Sequence, residues 1–592
     1  MLIKTLILLN FYVLFTIGTS LWHYECLESY CEKTLTTSNT SNGLSLSECN
    51  ILCHNGAAIW PKPTGNVTVS DLVEIDLKSF TFTTTPQTAI TSLVTEAFDI
   101  FTKQIKKFVS CKVFLGKSNA IDVASVQVVF NILDQKLDLM TFGTDESYRI
   151  ETQLTNNSVV YVNVTAPSFF GARHALETLS QLVVYDDIRQ RTLFPSNIFI
   201  VDGPIYSWRG ISLDTSRNYV TPKAIKRTLR AMAASKLNTL HWHLTDTASF
   251  PYVSKSHPEL SEYGAYSPSK VYNNDTVKTL IEYARVRGIR VVPELDSPAH
   301  VGEGWQTTGV VTCFNWKPWD DYCVEPPCGQ FDPSQDKLYD ILEDVYGDFL
   351  SQFDPEVFHM GGDEVNVNCW NSTSNLTKWM VEEKGWNLTK EDFLDKLWPY
   401  FQDEASKRLY KAAGKEIPII LWTSELTFLD NVQEILPPSK YLLQVWERSD
   451  DLRIQTLLEK NYSLILSNYD ALYLDCGFGG WVDDGQNWCS PYKTWQTIYD
   501  NKPEVIAGNR TSQILGGETA LWTEESGTNS LDSRLWPRAA AFAETLWTSP
   551  STNWEQAQER FLIHRERLVA LGIDADEIQP EWCRRNQHNC RL

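Results

Sequence analysis

From about residue 205 the chain alternates short apolar runs with amphipathic ones, and it does so eight times. The apolar runs are "SWRGISLDT", "LNTLHWHLT", "GIRVVPELD", "EVFHMGGDE", "PIILWTSEL", "YLLQVWE", "YSLILSNY" and "ILGGETALW". Runs of this length, rich in Val, Ile, Leu and aromatics, read as buried strands. Helical stretches lie between many of them, such as "PKAIKRTLRAMAASK", with Pro222 early and Thr221 as cap, and "DTVKTLIEYARVRG", ending at Gly288. Eight strand–helix repeats in about 350 residues predict a closed (β/α)8 barrel rather than an open sheet. In that fold, functional residues gather where strands end, at the C-terminal rim.

The strand ends carry Asp214, Asp246, Asp296 with His300, Asp363 with Glu364, Trp422 with Glu425, Trp446 with Glu447, Tyr473 with Asp475, and Trp522 with Glu524. Nearly every strand therefore ends in an acid beside an aromatic. Scattered surface turns would not keep that register. Acids and indoles around one mouth suit a ligand with apolar C–H faces and polar edges, such as a sugar, and can protonate it. Asp363 and Glu364, in "VFHMGGDEVN", are adjacent. Neighbours on a strand point to opposite faces, so they make a poor facing acid and nucleophile of the kind a retaining glycosidase uses. The alternative is a substrate whose 2-acetamido oxygen attacks C1 itself. The protein then needs an acid for the leaving oxygen, a carboxylate on the acetamido N–H, a hydroxyl on its oxygen and an apolar box.

The stretches "HMGGDEV", "WRGISLDTSR", "LHWHLTDTASFP", "PELDSPAHVGEGW", "YLDCGFG" and "LGGETALWTE" resemble the β-N-acetylhexosaminidases of glycoside hydrolase family 20 over nearly the whole mature chain. Within that family, "VEPPCGQ" and the "LW" that opens the mature chain look most like the insect chitooligosaccharide-degrading enzymes. The resemblance implies Glu364 as general acid and then base, Asp363 on the acetamido nitrogen, and Tyr473 on its oxygen. Trp422, Trp446 and Trp522 would wall the acetyl pocket. Arg209 and Glu524 would grip the O3 and O4 side of the terminal sugar, with Asp475 and Trp488 toward O4 and O6, which makes the enzyme exo-acting. Asp246 and His300 would support the acids. Trp319, Val324 and Glu325, around the Cys323–Cys328 loop, would meet the second sugar. The implied activity is retaining release of terminal β-N-acetylglucosamine from chitooligosaccharides through an oxazolinium. A broad-spectrum or N-glycan-trimming hexosaminidase is the runner-up, and a sugar-binding protein without turnover and a metal-dependent deacetylase are further classes. No cofactor is expected, and a homodimer is compatible.

His241 and His243 share one strand face, but no third ligand at suitable spacing accompanies them; packed, hydrogen-bonded histidines are expected, and no metal. A net charge of −22 offers no basic surplus for nucleic acid.

Ahead of the barrel, an α+β supporting domain is expected over 61–203, from "VTVSDLVEIDL", "VQVVFNI", "SYRIETQL", "SVVYVNVTAP" and the amphipathic "SFFGARHALETLSQLV". Residues 1–20 read as an export signal rather than a stable membrane anchor, 21–60 as a Cys-rich segment, 204–570 as the barrel and 571–592 as a clipped tail. Export, to the exterior or to a lysosome, agrees with 13 cysteines and ten glycosylation sequons, at Asn39, Asn66, Asn156, Asn163, Asn274, Asn371, Asn375, Asn387, Asn461 and Asn509. Cys26, Cys31, Cys49 and Cys53 make an N-terminal knot. Cys323 and Cys328, Cys476 and Cys489, and Cys583 and Cys590 form local staples. Cys313 and Cys369 are left to join each other, and Cys111 is the odd one out.

Overall fold

The computed structural model describes residues 21–36, 43–54, 56–84, 90–110, 123–135, 139–482 and 484–590. The export segment, Asn39 and Cys111 lie outside these residues. All eight expected strands form and close in chain order into one barrel: β1 (Trp208–Asp214), β2 (Thr239–His243), β3 (Arg290–Glu294), β4 (Phe358–His359), β5 (Ile419–Trp422), β6 (Tyr441–Val445), β7 (Ser463–Leu466) and β8 (Ile514–Leu521). Every neighbouring pair is parallel, and β8 closes on β1 from Trp208↔Gly516 to Leu213↔Leu521.

Helices return the chain between strands, among them Pro222–Ala234, Asn274–Arg285, Asp336–Phe353, Trp398–Ala413 and Arg538–Thr548. Thr221 stands at the N-cap of the first, without a side-chain bond to it. The second stops at Arg285, and Gly288, at φ +74°, turns the chain into β3. The strand "EVFHMGGDE" is shorter than its apolar run. Only Phe358 and His359 pair, because Gly361 and Gly362 take φ +65° and +91° and lift the chain out of the ladder.

A twisted sheet precedes the barrel, in the order Val67–Glu74, Arg191–Asp202, Tyr148–Leu154, Val159–Ala166, Ser125–Ile132 and Thr81–Thr84, with Val184–Asp186 on the long second strand. Helices Thr91–Ser110 and Phe169–Leu182 cover it, the latter capped by Ser168 accepting from the Gly171 amide. Its apolar core is separate from that of the barrel. The sheet domain meets the barrel through Val286 and Trp547, which pack into its core, and through charge. Glu146 accepts two hydrogen bonds from the Arg209 guanidinium, at 3.0 and 2.6 Å, and faces His174 at 2.8 Å, while Lys236 pairs with Asp202 at 2.9 Å. Six disulfides close: Cys26–Cys53, Cys31–Cys49, Cys313–Cys369, Cys323–Cys328, Cys476–Cys489 and Cys583–Cys590. Among the described residues no helix is long and apolar enough to cross a membrane.

Candidate active site

The turn after β4 puts Asp363 and Glu364 at the C-terminal mouth. It needs glycine at 361, where a Cβ would stand 1.7 Å from Asp296 Oδ1. Asp296, just past β3, accepts the Gly362 amide at 3.0 Å and so ties this turn to its neighbour. Glu364 and His300 both hold left-handed backbone, at φ +53° and +57°, a conformation non-glycine residues keep only where the surroundings enforce it. They meet through side chains: His300 Nε2 lies 3.2 Å from Glu364 Oε2, and His300 Nδ1 lies 3.5 Å from Asp246 Oδ2. Asp246 in turn holds Arg217 at 2.8 Å. Burial alone would raise Asp246, but the Arg217 guanidinium and then His300 override it and hold the carboxyl far below its ordinary range. Burial would likewise strip the proton from His300, yet Asp246 and the hydrogen bond to Glu364 keep it an imidazolium.

Asp363 is different. Its buried Oδ1 has no hydrogen-bond partner among the described residues, and burial followed by repulsion from Asp296 pushes its carboxyl well above the usual range. Beside it stands an aromatic box. Trp422 and Trp522 lie 5.8 Å apart, Tyr473 lies 6.1 Å from Trp522 and 6.2 Å from Trp488, and Trp446 meets Trp488 edge-on at 6.1 Å. Two indoles are pinned by their N–H groups, Trp422 to Glu294 Oε1 at 2.7 Å and Trp446 to the Thr423 carbonyl at 2.7 Å. Trp488 is 65% exposed and forms the outer lip. Asp475 Oδ1 also lacks a partner among the described residues, and burial pushes its carboxyl up to about 7.

A cavity of about 200 Å³ opens at the rim, lined among others by Arg217, Asp246, Tyr266, Glu325, Trp481 and Glu524. Arg217 organises it. Its guanidinium donates to Glu325 at 3.1 and 2.8 Å, lies 3.6 Å from Glu524 and rests over the Trp522 ring.

One expectation needs correction. Arg209 is fully buried at the start of β1, at the barrel's opposite end, where Glu146 and the Trp547 ring hold it. It cannot reach a sugar at the rim; the arginine there is Arg217, three residues beyond the strand, in the same "WRGISLDTSR". Trp319 is partly buried on the disulfide loop and is not part of this cavity's lining, as Asp363, Glu364 and Trp422 are not. Its carbonyl accepts the Cys323 amide at 3.1 Å inside the disulfide loop, and the indole lining the cavity is Trp481. Val324 is half exposed on that loop, outside the lining, whereas Glu325 reaches in. Of the other acids at strand ends, Asp214 is consumed by Thr523 and the Ser216 amide, Glu447 by Thr423, and Glu425 points to solvent.

The profile described as "Glycosyl hydrolase family 20, catalytic domain" matches residues 206–550, and one described as "beta-acetyl hexosaminidase like" matches residues 59–182. The chain belongs to glycoside hydrolase family 20. It is 47% identical over 96% of its length, and 95% of the relative's, to the chitooligosaccharidolytic β-N-acetylglucosaminidase of Ostrinia furnacalis, and 48% identical at the same coverages to that of Bombyx mori. The X-ray structure of Flavobacterium johnsoniae chitobiase superposes with a TM-score of 0.67 at 26% identity, covering 87% of this chain and 73% of that one. Family 20 enzymes are β-N-acetylhexosaminidases that act on terminal N-acetylglucosamine, and substrate-assisted catalysis is characteristic of them. That mechanism accounts for a carboxylate pair on one turn, one member pinned and the other with an open oxygen.

Proposed function

We propose that this chain releases terminal, non-reducing β-linked N-acetylglucosamine from chitooligosaccharides with retention of configuration. The observation that carries the reading is the open, buried Oδ1 of Asp363 between the indole box and Glu364. Asp363 accepts the acetamido N–H, and Tyr473 donates to the acetamido oxygen. That oxygen attacks C1 as the glycosidic C–O bond breaks, and Glu364 delivers its proton to the leaving oxygen. The resulting oxazolinium is positive beside Asp363, whose carboxylate is disfavoured by burial and by Asp296 and so gains most from the arriving cation. Glu364, now a carboxylate facing the His300 imidazolium, takes a proton from water, which opens the ring at C1.

Trp422, Trp446 and Trp522 hold the acetamido group bent. Arg217 and Glu524 grip the O3 and O4 side, Asp475 and Trp488 lie toward O4 and O6, and their closure makes the enzyme exo-acting. Glu325 and Trp481 meet the second sugar. The reading uses no cofactor. Export is part of it, supported by six disulfides and by the exposure of the nine sequon asparagines that are described.

The test compares turnover of chitobiose with that of a biantennary N-glycan. Chitobiose should be favoured; preference for the glycan would move the chain to the broad-spectrum or trimming class. A thiazoline mimic of the oxazolinium should inhibit, and a 2-hydroxyl analogue should go unhydrolysed. A sugar ester trapped on Asp363 would contradict the mechanism.

A further inference from the structure

We infer that Glu294 is a positioning residue for the reaction, its one carboxylate joining the arm that ends at Glu364 to the indole wall at Trp422. The inference rests on the reaction proposed above. Glu294 ends β3 and is fully buried in the barrel core. Its Oε2 lies 2.6 Å from His243 Nδ1 and 3.0 Å from His241 Nε2. Its Oε1 accepts the Trp422 indole N–H at 2.7 Å and lies 3.2 Å from His359 Nδ1.

The first arm runs outward. The other nitrogen of His243, Nε2, stands 3.1 Å from Asp246 Oδ2, and from Asp246 the path continues through His300 to Glu364. Inward, the other nitrogen of His241, Nδ1, stands 2.7 Å from Glu518 Oε1. Carboxylates and imidazoles therefore alternate from the catalytic acid to the barrel core. His243 and His300 each face a carboxylate at both nitrogens, with an Arg217 N–H also 3.3 Å from His243 Nε2 and 3.5 Å from His300 Nδ1, while His241 Nε2 lies near Glu294 without a hydrogen bond to it. Burial opposes each ion, but the alternating partners override it: Glu294 is held well below the carboxylate range, and His241 is pushed up to about 9.

His359 is a neutral neighbour of Glu294 rather than a third arm, its acceptor nitrogen facing Glu294 Oε1. His359 Nδ1 accepts the Gly361 amide at 3.0 Å and its Nε2 lies 3.2 Å from Gln444 Oε1, which fixes a neutral tautomer. Its ring stacks on His241 at 4.3 Å and abuts Trp422 at 5.2 Å. Removing the charge of Glu294 would thus release His243 from its cationic form and loosen the Trp422 wall together.

The experiment is Glu294→Gln, which keeps the shape and loses the anion, assayed on chitobiose and on the dinitrophenyl N-acetylglucosaminide. The second leaving group departs without a proton and the first needs one. We expect kcat on chitobiose to fall about 10- to 100-fold, with a clearly smaller fall on the dinitrophenyl glycoside, because a positioned proton donor is worth about 10² to 10⁴ and the variant only disturbs its support. Equal loss on both substrates, or no loss on either, overturns the inference. A measurement on the unaltered enzyme stands beside it in case the variant does not fold. Imidazole-¹⁵N spectra at neutral pH should show three buried, doubly protonated rings that do not titrate up to pH 8, and neutral tautomers there overturn it. Turnover of the 2-hydroxyl analogue by the unaltered enzyme is a separate result that would sink the proposed reaction.

Discussion

The two ends of the barrel both bury charge, and they treat it differently. At the seam with the N-terminal sheet, both oxygens of Glu146 and of Asp202 are taken up by Arg209, His174, Asn238, Lys236, Trp547 and Thr64. At the mouth, Asp363 and Asp475 each keep an oxygen without a partner among the described residues, and burial pushes Asp296, Asp363, Asp475 and Glu524 upward. A saturated buried carboxylate holds two bodies together. An unsaturated one is an unfavourable arrangement that a ligand relieves, and perturbed groups of that kind gather at functional sites.

The comparison breaks most readily at Glu364. Glu364→Gln should lower kcat on chitobiose by about 10² to 10⁴ while the melting temperature hardly moves; near-normal turnover would remove Glu364 from the acid role. The seam should respond in the opposite sense. Arg209→Met strands Glu146 and should cost about 3 to 5 kcal/mol of stability in denaturant melts, with kcat retained per folded molecule. If kcat collapses while stability holds, the seam is not merely structural.

Asp296 sharpens the contrast through pH. Burial lifts its carboxyl from 3.8 to about 7, against the pull of His300. The folded chain therefore keeps a proton that the unfolded chain releases. The stabilisation is full below the unfolded value and is lost as pH rises through about 7. Asp296→Asn should flatten the fall in unfolding free energy between pH 5 and 8 by on the order of 2 kcal/mol; identical slopes in the two proteins would show that Asp296 does not titrate there. The smallest effect concerns the outer lip. Trp481→Ala should weaken chitooligosaccharides by about 0.5 to 1.5 kcal/mol in KM and single-sugar aryl substrates less, with Trp319→Ala nearly silent. A larger effect at Trp319 would make the disulfide loop the stacking surface.

Much of this was legible from the residues. All eight strands stand where the apolar runs lie, because a strand buried on both faces must be apolar along its length. The acid pair was visible from its glycines. Arg209 was misplaced although a signal existed: it opens its strand, and the rim lies where strands close, eight residues on at Arg217. Glu294 and His359 passed as parts of apolar strands, yet an acid and a histidine inside barrel strands are themselves a mark of a buried polar network.

The sequence by itself determined what depends on near neighbours: the strand and helix alternation, the positive-φ glycines before Asp363, and the short disulfides. The tertiary structure alone decided what depends on closure. Glu364 meets His300 and, through it, Asp246, because β2, β3 and β4 lie side by side in the closed barrel. The C-terminal tail folds back on the N-terminal knot, with Gln587 accepting the Cys31 amide at 2.8 Å and His588 stacked on Tyr30 at 4.7 Å. Neither contact has a local signature. Each joins residues far apart in sequence whose separation is set by the packing of everything between them, and partner choice at that range is a property of the whole fold.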